Sequence, residues 1–136
     1  MAKHAHNHGL EKLTKNQSLV FNTLTEADGP MSAYTILDAL RDDGFRAPLQ
    51  VYRALDKLIE LGAIHKLESL NAFVACSQPS CDSHAFIAFT ICEDCGSVEE
   101  VGDPHLEKQL SKLAKASKFQ TKRSTLELHG SCSNCV

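Results

Sequence analysis

Between residues 14 and 62, apolar side chains recur in steps of three and four, the period of an amphipathic helix, and punctuation residues divide the pattern into three pieces. In "LTKNQSLVFNTLTEADGP", Thr14 is placed to cap a helix whose buried stripe is Leu19, Val20, Thr23 and Leu24, and Gly29-Pro30 stops it. In "MSAYTILDALRDDG", Ser32 caps, Ala33, Ile36, Leu37 and Leu40 face inward, and Gly44 ends the element. The third piece, "APLQVYRALDKLIELG", carries Pro48 in its first turn, an apolar face of Val51, Leu55, Leu58 and Ile59, and a stop at Gly62. Its outer face presents Gln50, Arg53 and Lys57.

At residue 65 the period changes from nearly four to two. The run "HKLESLNAFVAC" predicts two strands joined at Leu70-Asn71, with Ser69 opposite Ala72, Leu67 opposite Val74 and His65 opposite Cys76. Three short helices followed by a hairpin predict a winged helix-turn-helix, whose last helix enters the major groove. Past "SQPSCDS", a segment with the composition of a hinge, the chain predicts a strand at 85–91, a "CEDCG" turn and a strand at 97–101. A helix follows from Pro104 to about Ser117, capped by Asp103 and striped by Leu106, Leu110 and Leu113, and then a strand at 119–129.

The expected fold class is therefore α+β: an N-terminal winged helix-turn-helix domain at 13–76, a hinge at 77–84 and a small C-terminal α/β dimerisation domain at 85–136. Residues 1–12 read as a flexible arm bearing His4, His6 and His8. A sheet this small with one helix is too thin to stand as a monomer, so a homodimer is expected.

Composition narrows the function. No apolar run approaches membrane-spanning length, the longest being "AFIAF", and no signal peptide is recognisable, so the expected location is cytoplasmic. Six cysteines in a reducing compartment favour metal ligation over structural disulfides. A net charge of −3 means that DNA binding must depend on a few well-placed basic side chains and on dimerisation.

Cys92 and Cys95 form one CxxC, and Cys132 and Cys135 form another after residues 96–131. Two tight turns of this kind deliver four thiolates to a tetrahedral structural zinc. A redox dithiol normally opens a helix, whereas Gly96 leads into another strand. A second pool of donors comprises His65, Cys76, Cys81, His84, Glu99, Glu100 and His105. A mixed site drawn from both halves binds metal in one relative orientation only and so acts as a sensor. A zinc hydrolase or a zinc-stapled adaptor draws on the same residue types. The deaminase pattern, HxE followed by PCxxC, does not occur.

The passages "LTKNQSLVFNTL", "SAYTILDALR", "VYRALDKLIELGAIHKLESLNAFVAC", "ICEDCGSVEE" and "LELHGSCSNC" cover nearly everything from residue 13 to 135. Through them the chain resembles the ferric uptake regulator family of bacterial metal-dependent repressors, most closely its zinc uptake regulator branch. Glu68-Ser69, Asn71 and Cys76 carry the likeness to the zinc branch.

The resemblance implies a structural Zn2+ on Cys92, Cys95, Cys132 and Cys135, and a regulatory Zn2+ on His65, Cys76, His84 and Glu100. It implies a homodimer that binds an inverted-repeat operator in double-stranded DNA when zinc is loaded and represses zinc-uptake genes. There is no catalytic residue, no small-molecule substrate and no membrane partner in this reading. Tyr34 and Arg53 match positions that reach base edges, Tyr52 matches the aromatic beside the basic reader, and Gln50 and Lys57 complete the expected DNA face. The chain departs from the family at Ser18, where arginine is usual, and at Arg123, where histidine is common, while Cys81 has no counterpart. Within the family, iron, manganese or peroxide sensing is the alternative, and the thiolate of Cys76 favours zinc.

Overall fold

A computed structural model describes residues 12–76 and 86–136, which divide between two compact units, one up to Asp82 and one from Ser83 onward. The whole expected hinge at 77–84, with Cys81 and His84, and the arm up to residue 11, with its three histidines, lie outside the described residues.

In the first unit, α1 (Lys15–Glu26) begins at a capping box. The Thr14 hydroxyl accepts from the Gln17 backbone N–H at 3.2 Å, and the Gln17 side chain accepts from the Thr14 N–H at 3.0 Å. Each bond satisfies a donor that helix geometry leaves without an internal partner. Thr14→Ala is therefore expected to lower the stability of this unit by about 1 kcal/mol in urea unfolding followed by circular dichroism. An unchanged midpoint would show that the box contributes nothing.

Ser32 caps α2 (Ala33–Ala39), and a short 3-10 turn (Arg41–Asp43) leads to Gly44 at φ 101°, a left-handed conformation that glycine adopts without a Cβ clash. α3 (Pro48–Glu60) starts on Pro48, whose missing N–H costs nothing in a first turn, and buries Val51, Ala54, Leu55 and Leu58. These pack with Val20, Leu24, Ile36, Leu37, Phe45 and Ile64 in one core.

The wing is β1 (Ile64–Leu67) and β2 (Ala72–Ala75), and its register differs from the sequence expectation. Leu67 pairs with Ala72 and His65 with Val74, so the loop is the four residues Glu68–Asn71 rather than a turn at Leu70-Asn71. A two-residue loop of the favoured type needs positive φ at both central positions, which a branched apolar residue resists. The longer loop needs it only at Asn71, where φ is 50°. The shift is by two residues, so every side chain keeps its face. Before α2, Met31 pairs with Phe73 through two backbone bonds of 3.0 and 2.8 Å, tying the entry to the helix-turn-helix onto the wing.

In the second unit, β3 (Phe86–Cys92) is the central strand, with β4 (Val98–Val101) antiparallel on one side and β5 (Ser124–Gly130) parallel on the other. The β4-to-β5 crossover holds α4 (Pro104–Ala116), whose cap Asp103 accepts from the His105 N–H at 2.9 Å. β5 begins at Ser124, later than the expected residue 119. The intervening residues are used to end α4: Lys118 turns left-handed at φ 56°, and the Phe119 N–H closes back on the Ala114 carbonyl at 2.9 Å. Ala88, Phe89, Ile91 and Cys92 are buried on β3, whereas α4 buries none of its residues. Among the described residues, no helix is long and apolar enough to cross a membrane.

Candidate metal centre and DNA-facing surface

The parallel pairing of β5 with β3 builds the cysteine cluster. Parallel strands end at the same edge, and the register sets Cys92 beside Gly130. The Glu93 N–H continues the ladder to the Gly130 carbonyl at 2.7 Å. Both strands therefore run into their CxxC turns side by side, and the Ser131 hydroxyl ties the turns together by donating to Asp94 Oδ2 at 2.6 Å. Sequence reading passed over Asp94 and Ser131; their signal is a short polar side chain inside or next to each CxxC.

The thiol sulfurs of Cys92, Cys95, Cys132 and Cys135 all lie within 4.8 Å of one another, and Cys95 Sγ is 3.8 Å from Cys132 Sγ. A zinc–sulfur bond of about 2.3 Å sets the corners of a tetrahedron about 3.8 Å apart, so the donor set fits that ion. Backbone N–H groups of Cys132 and Cys95 point at Cys92 Sγ at 3.3 and 3.4 Å. They draw the Cys92 thiol down to about 6, the Cys132 N–H contributing most. The Ser97 hydroxyl lowers Cys95, and Cys95 Sγ lies 3.3 Å from it. Cys135 moves the other way, up to about 12, because the side chains of Cys132, then Cys92 and Cys95, disfavour one more negative charge. The cluster thus combines a ready thiolate at Cys92 with a thiol at Cys135 whose proton a metal must displace.

In the wing, His65 and Cys76 are diagonal neighbours rather than directly opposed: Val74 faces His65, and the Cys76 N–H bonds the Ala63 carbonyl at 2.9 Å. Being two residues from Val74, Cys76 shares the face of His65, and their ligand atoms lie within 4.8 Å of one another. His65 is buried and Cys76 half-buried.

On β4, Glu100 pairs with Phe89 on the half-buried face, while Glu99 is exposed on the other; the pleat separates the two acids. His105 is exposed in the first turn of α4.

Tyr34, in the first turn of α2, is exposed to 62%, and Arg53 and Lys57 stand exposed one turn apart on α3. Tyr52 is half-buried against the core, and Lys57 pairs with Glu60 at 3.5 Å. Gln50 departs from the sequence expectation of an outward side chain. Its Oε1 accepts from the backbone N–H groups of Arg46 at 2.6 Å and Ala47 at 3.0 Å, serving the start of α3, whose N-cap Ala47 has no polar side chain.

Residues 7–129 match the ferric uptake regulator family. The zinc uptake regulation protein of Escherichia coli K12 is 38% identical over 92% of this chain and 73% of its own length. That of Mycobacterium tuberculosis H37Rv is 28% identical over 90% of this chain and 92% of its own length. Among solved structures, a zinc uptake regulator complexed with zinc and DNA is 36% identical, with a TM-score of 0.84, over 90% of this chain and 81% of that one. Holo XcZur is 43% identical, with a TM-score of 0.81, over 90% of this chain and 84% of that one. The match takes in the whole winged unit and the mixed sheet with its crossover helix, and the chain belongs to the ferric uptake regulator family.

Proposed function

We propose that this protein is a zinc-responsive transcriptional repressor that binds an inverted-repeat operator as a zinc-loaded homodimer in the cytoplasm and represses zinc-uptake genes. The observation that carries the reading is a soft nitrogen–sulfur donor pair, His65 and Cys76, at the root of a wing whose neighbouring helices present Tyr34 and Arg53 to solvent. Similarity to zinc uptake regulators, one of them solved with zinc and DNA, supports it.

Two zinc ions per chain are expected. Cys92, Cys95, Cys132 and Cys135 would hold the structural one, and His65, Cys76, His84 and Glu100 the regulatory one. Bound there, zinc would hold these side chains together and so couple metal loading to the reading surface. His65 and Cys76 contribute the winged unit's half, Glu100 offers a carboxylate from β4, and a thiolate in the set suits zinc over iron or manganese. Tyr34 and Arg53 then meet base edges, Arg53 through two parallel bonds to guanine, while Tyr52 supports it and Lys57 serves the phosphates. The dimer reading is supported by Leu113, Phe119 and Leu128, exposed on a unit that buries little on its own.

The test is a titration of reduced full-length protein with buffered zinc, iron and manganese, following metal content and affinity for duplexes selected from a random library. Zinc is expected to raise affinity by about 5- to 150-fold, the usual span of coupling between two sites. An equal response to iron or manganese in protein that keeps zinc only in its cysteine cluster would overturn the choice of metal.

A further inference from the structure

The winged unit keeps few large apolar side chains in water. Among its described residues these are Tyr34 in the first turn of α2, Leu49 in the first turn of α3 and Leu70 in the wing turn. Leu49 is exposed to 57%, although α3 has a continuous buried face at Val51, Ala54, Leu55 and Leu58 that could have received an apolar residue. It lies four residues before Arg53 and eight before Lys57, so the three share one outward stripe. Gln50, one position on, is turned about 100° away around the helix and is half-buried.

Glutamine reads adenine with both ends of its amide, the oxygen accepting from N6 and the nitrogen donating to N7. In Gln50 the oxygen is already committed to the Arg46 and Ala47 N–H groups. Turning it to a base would orphan two donors at the very start of the helix that must be positioned. Leu49 carries no such commitment, and an apolar side chain at the N-terminal end of a recognition helix finds its complement in the C5-methyl group of thymine. Resting on the DNA-binding reading above, we infer that Leu49 is a specificity-determining residue that contacts a thymine methyl. Gln50 is a positioning residue that holds the first turn of α3 and reads no base.

The experiment takes full-length, reduced, zinc-loaded protein and selects duplexes from a random library with wild type, Leu49→Ala and Gln50→Ala. Each thymine of the wild-type consensus is then replaced in turn by deoxyuridine, which removes the methyl alone. At one thymine per half-site the replacement is expected to weaken wild type about fourfold, the value of one buried methyl-sized group. With Leu49→Ala the same replacement is expected to change nothing. Gln50→Ala is expected to keep the consensus and the methyl penalty while losing affinity evenly across sequences. Indifference of wild type to every replacement, or an undiminished penalty in Leu49→Ala, would overturn the role of Leu49. Loss of an adenine preference in Gln50→Ala would overturn that of Gln50. A wild-type protein that selects no sequence at all would sink the DNA-binding reading itself, and this assignment with it.

Discussion

Replacing Cys95 with serine is expected to leave the second unit unfolded while the first stays folded. The asymmetry follows from where each unit keeps its apolar surface. The winged unit buries Val20, Ile36, Phe45, Val51, Leu55, Leu58 and Ile64 almost completely, without help from a metal. The second unit buries Ala88, Phe89, Ile91 and Cys92 on β3 and leaves all of α4 partly or wholly in solvent. Structural zinc contributes roughly 10–16 kcal/mol of apparent binding free energy at neutral pH, comparable with the whole net stability of about 5–15 kcal/mol of an ordinary domain. A serine hydroxyl does not replace a thiolate ligand, so most of that contribution is lost, and with it the β3–β5 edge from which both CxxC turns spring.

Size-exclusion chromatography of full-length Cys95→Ser should show monomer or aggregate, zinc content should fall, and circular dichroism should retain the helical signal of α1–α3. A zinc-bearing dimer with wild-type melting would refute the role of the cluster. Wild-type protein should respond to a strong chelator in the same way, more readily at lower pH, because protons compete with metal for the four sulfurs.

The parts of this architecture that were legible in the sequence were those set by local chemistry. Thr14, Ser32 and Asp103 cap helices because a short polar side chain there satisfies backbone donors whatever the tertiary context, and Pro48 opens α3 for a similarly local reason. The four cysteines were legible because CxxC spacing is itself a geometry. The wing register was not, since it turned on whether Leu70 would accept positive φ, and a sequence pattern of period two is unchanged by a shift of two. Nor was the parallel pairing of β5, a long-range choice on which alternation is silent, although it brings the two CxxC turns together. Gln50 was misplaced for a related reason: helical spacing puts it near the outer face, but the absence of a capping side chain at Ala47 recruits its amide to the backbone.

Cys76→Ser is expected to abolish the zinc dependence of DNA binding while leaving the protein folded and dimeric. The substitution is nearly isosteric, Cys76 is half-buried, and the bond it makes to the Ala63 carbonyl comes from its backbone N–H, which serine retains. What it removes is the soft donor within 4.8 Å of the His65 ring nitrogen, and with it the ligand that favours zinc over harder-liganded metals. Coupling of about 1–3 kcal/mol between metal and DNA sites corresponds to the 5- to 150-fold zinc response expected of wild type, and the variant should show none of it. Metal analysis under reducing conditions should fall by one zinc per chain, the cysteine cluster keeping its own. Reducing conditions matter for the wild type, because only the thiolate form of Cys76 can ligate a metal. His65→Ala should reproduce the effect from the other side of the pair. A Cys76→Ser protein that still tightens on DNA as zinc is added would remove the wing pair from the switch, even if the fold and the cysteine cluster stood unchanged.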